Sequence, residues 1–71
     1  MASASREFIA SVKSLRETLR MSQEDLAKEL GVSFATVNRW ENGKTQPSKL
    51  AKKQLELFIA QQIQQGMLKD E

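Results

Sequence analysis

The sequence predicts an all-α domain of four or five small helices, and three observations carry that expectation. Apolar residues recur at spacings of three and four: Phe8, Val12, Leu15 and Leu19 early in the chain, then Ala51, Leu55, Phe58, Ile59 and Ile63. Serines stand just ahead of the later helical stretches, at Ser22, Ser33 and Ser48, where a side-chain oxygen can accept from otherwise free backbone N–H groups. No stretch alternates apolar and polar residues as a half-buried strand does. At 71 residues, 1–71 form one domain, near the lower size at which a core holds without staples.

The elements follow in order. The stripe of Phe8, Val12, Leu15 and Leu19 predicts a first helix over residues 5–20. Ser22 then gives a start signal, with Glu24 and Asp25 in the first turn and Asp25 at the position where a capping box prefers Glu or Gln. Met21 ahead of the cap can pack on Leu26 as a hydrophobic staple, so a second helix is expected over 23–30, ended by Gly31. Ser33 repeats the signal, with Val32 able to pack on Val37, and predicts a third helix over 34–41 that Asn42 and Gly43 stop. Lys44 to Pro47 is a short polar connection. A long last helix spans 48–65, its glutamine-rich end (Gln61, Gln62, Gln64, Gln65) is expected to fray, and the tail 66–71 to be disordered.

Composition excludes several functions. Cysteine and histidine are both absent, which removes disulfides, thiolate nucleophiles, the usual zinc sites and any imidazole base. No catalytic, metal, cofactor or small-molecule site is expected, and the chain is not expected to be an enzyme. No apolar run is long enough to span a bilayer, and Met1 to Ser5 lacks the start of a signal peptide, so a cytoplasmic protein without membrane contact is expected. The net charge is only +2, but it is unevenly placed. Residues 39–53 carry Arg39, Lys44, Lys49, Lys52 and Lys53 against Glu41 alone, a local +4.

Two capped helices joined by Gly31, Val32 and Ser33 describe a helix-turn-helix, whose second helix enters the major groove of DNA. On a helical wheel Val37 and Trp40, flanked by Ser33 and Glu41, face inward, while Ala35, Asn38, Arg39 and Asn42 face away. Short, polar and basic residues of that kind suit base edges.

At this point the sequence resembles the phage repressor and Cro type of helix-turn-helix, the Xre-like family. The stretch from Leu15 to Pro47 carries the likeness: "LRETLRMSQEDLAKELGVS", with Gln23, Leu26-Ala27 and Gly31, and then "TVNRWENGKTQPS", with Val37, Trp40 to Lys44 and Pro47. The resemblance implies a lambda-repressor-like domain, bacterial or phage-encoded, that binds double-stranded DNA as a symmetric dimer and regulates transcription, as a repressor in the reading favoured here. It implies that Ser33, Phe34, Ala35, Asn38 and Arg39 face the bases. It implies that Gln23, Asn42, Lys44 and Thr45 meet phosphates, and that Arg16 and Glu41 form a partly buried salt bridge. Family members often have two helices after the Asn-Gly-Lys loop where this chain has one long segment, which leaves the dimer surface open.

Some residues admit a plainer role. Trp40 is expected to pack inside rather than stack on a base. Phe34 lies at the border of core and groove, and it either covers the junction of the second and third helices or lies against thymine methyls. Arg39 can be a solvated charge or a reader of guanine. Lys44, Lys49, Lys52 and Lys53 can serve solubility or phosphate contact, Lys44 being the best placed for the latter. Leu57, Ile63, Met67 and Leu68 exceed what one buried face of the last helix needs and suit a homodimer contact through it, the groove of another partner, or a slack apolar tail. Two other functions fit the same residues: a protein-interaction module of antitoxin-like or coactivator-like kind, or the DNA-targeting domain of a longer protein.

Overall fold

Each helix begins on a serine. The computed structural model describes residues 5–68 and contains α1 (Arg6–Thr18), α2 (Gln23–Leu30), α3 (Phe34–Glu41) and α4 (Lys49–Gln64). The side-chain oxygens of Ser5, Ser22, Ser33 and Ser48 accept from the backbone N–H of Phe8, Asp25, Thr36 and Ala51 at 3.0–3.1 Å. A cap of this kind is worth about 1 kcal/mol. At Ser22 the box closes, because the Asp25 carboxylate accepts from the Ser22 N–H at 3.0 Å in return.

The helix ends share a grammar as well. After α2, α3 and α4 the chain turns through Gly31, Gly43 and Gly66, at φ of 72°, 71° and 77°, a region that favours glycine. The residue after each reaches back to close the last turn: Val32 N–H to Ala27 O, Lys44 N–H to Arg39 O and Met67 N–H to Gln62 O, at 2.8–3.0 Å. The first helix does the same without glycine. Expected to run to residue 20, α1 stops at Thr18, since Arg20 takes φ 56° and Met21 N–H bonds to Arg16 O at 2.8 Å. In the segment from residue 66 for which disorder is expected, Met67 is bonded into the closing turn at Gly66 and Leu68 packs against the core. Residues 69–71 of that expectation, and Met1 to Ala4 at the other end, lie outside the described residues.

Packing fixes the angle of α3. Val12 and Leu15 from α1, Leu26, Ala27 and Leu30 from α2, Val37 and Trp40 from α3, and Ala51, Leu55 and Phe58 from α4 form one buried cluster. Helix α3 contacts both α1 and α2, and α2 also contacts α4. Trp40 lies at the centre with almost no exposed surface, and Phe8 meets it edge-on, ring centroids 5.7 Å apart and planes at 77°. A single helix follows the Asn42 to Pro47 connection among the described residues, and none of the helices there is long and apolar enough to cross a membrane.

Candidate nucleic-acid interface

With Val37, Trp40 and Glu41 turned into the protein, the opposite side of α3 is left to solvent. Phe34, Ala35 and Arg39 are exposed there and Asn38 is half-buried. Ser33 is exposed, in contrast to the inward flank expected from the wheel, because its side chain caps the helix end. The α2 start adds half-buried Gln23, and the connection after α3 adds exposed Asn42 and Lys44 and half-buried Thr45.

A chain of hydrogen bonds ties these pieces together. It starts on α1, where Arg16 Nε donates to Glu41 Oε2 at 2.7 Å and Arg16 Nη2 to Glu41 Oε1 at 2.8 Å, a two-pronged bridge from α1 to the end of α3. The remaining arm, Arg16 Nη1, donates to the Met21 carbonyl at 3.0 Å, so the same guanidinium also braces the turn into α2. Glu41 Oε1 accepts in addition from Gln23 Nε2 at 3.1 Å. From Gln23 the chain runs outward: Asn38 Nδ2 donates to Gln23 Oε1, and Asn42 Nδ2 donates to Asn38 Oδ1, each at 3.0 Å.

The direction of this chain follows from chemistry. A carboxylate only accepts, so Gln23 must turn its NH2 toward Glu41, which leaves its oxygen facing Asn38. Asn38 must then present its own NH2 to Gln23 and its oxygen to Asn42. A single buried charge thereby sets the orientation of three amides on the outer surface. Electrostatics agree: the Arg16 hydrogen bond holds the Glu41 carboxyl below the usual glutamate range against the opposing effect of burial, and the same bond raises the Arg16 guanidinium. Asp25 is likewise lowered, by its bonds with Ser22. No buried side-chain nitrogen or oxygen among the described residues lacks a partner.

Sequence reasoning placed Gln23, Asn38 and Asn42 near one another only as separate DNA-facing positions. The bond between Gln23 and Asn38 has no signature in the sequence, since the two lie fifteen residues apart across the corner, whereas Asn38 and Asn42 stand at the four-residue spacing of helix neighbours. It also left Thr36 aside, whose hydroxyl shares a 2.9 Å hydrogen bond with that of Ser33. Leu50, 68% exposed near the start of α4, was not singled out either.

Two short capped helices, the second held at a fixed angle and bare along its outer side, define a DNA-binding helix-turn-helix. The helix-turn-helix family model matches residues 12–56, well over half of the chain. The protein belongs to that family, in its Xre and lambda-repressor-like branch, whose members are DNA-binding regulators of transcription and generally not enzymes. No curated protein and no solved structure matches the chain.

Proposed function

We propose that the protein is a sequence-specific repressor that acts by occupying an operator in double-stranded DNA. Helix α3 lies in the major groove, with Ser33, Phe34, Ala35, Asn38 and Arg39 toward the bases. Gln23 at the start of α2, and Asn42, Lys44 and Thr45 after α3, hold phosphates on the two sides of the groove. Phosphate contacts supply affinity and register, and the α3 side chains supply sequence choice. The reading rests chiefly on the Arg16–Glu41–Gln23–Asn38–Asn42 chain, which makes one rigid unit of the three segments that touch DNA. Rigidity of that kind keeps the readers at a fixed height over the base edges.

The operator is a palindrome read by a homodimer formed through α4, where Leu50 and Leu57 stand seven residues apart on one side of the helix and remain exposed. The site of action is the bacterial cytoplasm, the protein being encoded by the bacterium or by a phage, and no cofactor or small-molecule ligand takes part.

Selection of bound sequences from a pool of random duplexes tests this. We expect enrichment of a two-fold symmetric motif. Arg39→Ala should lose preference at one position of each half-site, by roughly 1–3 kcal/mol. Failure of any motif to emerge, with wild type and Arg39→Ala binding all duplexes alike, contradicts the proposal.

A further inference from the structure

One edge of α1 lies along the end of α3 and the turn that follows it. Ile9, Lys13 and Arg16 stand four and three residues apart, which puts them on one stripe of α1. Arg16 bonds to both oxygens of Glu41. The charge of Lys13 acts on the same carboxylate, after the Arg16 hydrogen bond, in holding it below the usual glutamate range. Ile9, nearer the start of α1, reaches past Glu41 to the turn itself. A Cβ built on Gly43 would lie 3.1 Å from Ile9 Cδ1, closer than carbons sit in van der Waals contact. Among the described residues nothing else beyond the chain neighbours comes within 4 Å of that position. Ile9 is half-buried, yet it is not among the side chains packed against the core cluster.

We infer that Ile9 is a positioning residue for DNA binding: its side chain props the Gly43 turn and so sets where Lys44 and Thr45 meet the phosphate backbone. The inference rests on the groove docking proposed above. Gly43 is where the chain leaves α3 for those two residues. Its N–H donates to Trp40 O at 3.1 Å and the Lys44 N–H to Arg39 O at 2.9 Å, so α3 holds the turn from one side. Ile9 bears on it from α1. A β-branched side chain in a helix keeps essentially one χ1 rotamer, which makes Ile9 a stiff prop. Because it bears on the turn and not on the outer side of α3, it governs affinity and salt dependence and leaves base choice to α3.

The test pairs binding with a melting cycle. Ile9→Val removes Cδ1 alone, and Ile9→Ala removes the whole prop. Both should weaken binding to every duplex by roughly three- to tenfold, flatten the slope of log affinity against log salt by up to about one, and leave the selected motif unchanged. In Lys44→Ala the same two changes should add nothing to the slope. The contact itself is read separately. Gly43→Ala lowers the melting temperature through a left-handed backbone that alanine disfavours and through the Cβ that meets Ile9 Cδ1; only the second part disappears in the Ile9→Val background. We expect Gly43→Ala to lose fewer degrees there than in wild type. Equal losses in the two backgrounds, or wild-type affinity and slope in both Ile9 variants, overturn the inference and leave groove docking standing. A changed motif with an unchanged slope also overturns it, by moving the effect of Ile9 onto α3. If Ile9→Ala fails to fold, Ile9→Val carries the same test. A wild type that selects no motif removes both readings together.

Discussion

Glu41 is the one charged residue among the described residues that is buried, its side chain 3% exposed against 20% for Arg16. Replacing either partner by alanine leaves the other without its bonds inside a partly closed site, a loss larger than the worth of an exposed pair. For Glu41→Ala we expect about 2–3 kcal/mol, which lowers the melting temperature of a domain this size by roughly 10–20 °C. Arg16→Ala should cost less, and the double variant less than the sum of the two; a cycle in which all three melt like wild type refutes the pair. Acid should act at the same place. Glu41 binds its proton less readily folded than unfolded, so its contribution is complete above the ordinary carboxylate range and drains away as pH falls through it toward the lower folded value. The raised Arg16 is lost only in strong base and adds no slope in acid. Stability followed by urea unfolding should therefore fall below about pH 5, and more gently in Glu41→Gln. The pair was legible in the sequence only through the family likeness, because two charges twenty-five residues apart carry no periodicity of their own.

At the scale of the helices, starts were easier to read than ends. A serine before a helical stretch has one main structural use, and the caps at Ser22, Ser33 and Ser48 stood where the sequence placed them. Three of the four ends carried a glycine. The fourth, at Arg20, did not, so the first helix was expected to run too far; nothing in an arginine announces a left-handed backbone. That conformation costs an ordinary residue roughly 1–2 kcal/mol. Arg20→Gly should consequently stabilise the protein by about 1 kcal/mol, a rise of about 4–8 °C in melting temperature, provided the gain exceeds the entropy that glycine adds to the unfolded chain. Ser22→Ala should move it about as far the other way, since it removes the cap and releases Asp25 from its reciprocal bond. A melt unchanged in both variants contradicts the account of how these helices begin and end.

For the molecule as a whole, periodicity in the first and last helices, with serine caps and glycine stops for the two between, revealed the four helices and the core around Trp40, because these signals all lie within one element. The joining of Gln23 to Asn38 was out of reach, since it depends on how α2 and α3 cross. Phe34, left between core and groove by its place on the wheel, lies outside the buried cluster because the α2–α3 corner closes without it. Charge operates at this scale too. If Lys44 neutralises a phosphate, Lys44→Ala should weaken binding to every duplex alike and reduce the slope of log affinity against log salt by about one. An unchanged slope assigns Lys44 to solvent. The measurement that bears most directly on the central proposal is an amide-shift titration of nitrogen-15-labelled protein with a mixed-sequence duplex, at low salt and again at higher salt. We expect salt-sensitive shifts gathered at Ser22 to Glu24, Ser33 to Arg39 and Asn42 to Thr45, with α1 little affected. Absence of shifts in those three segments at low salt would contradict docking through α3.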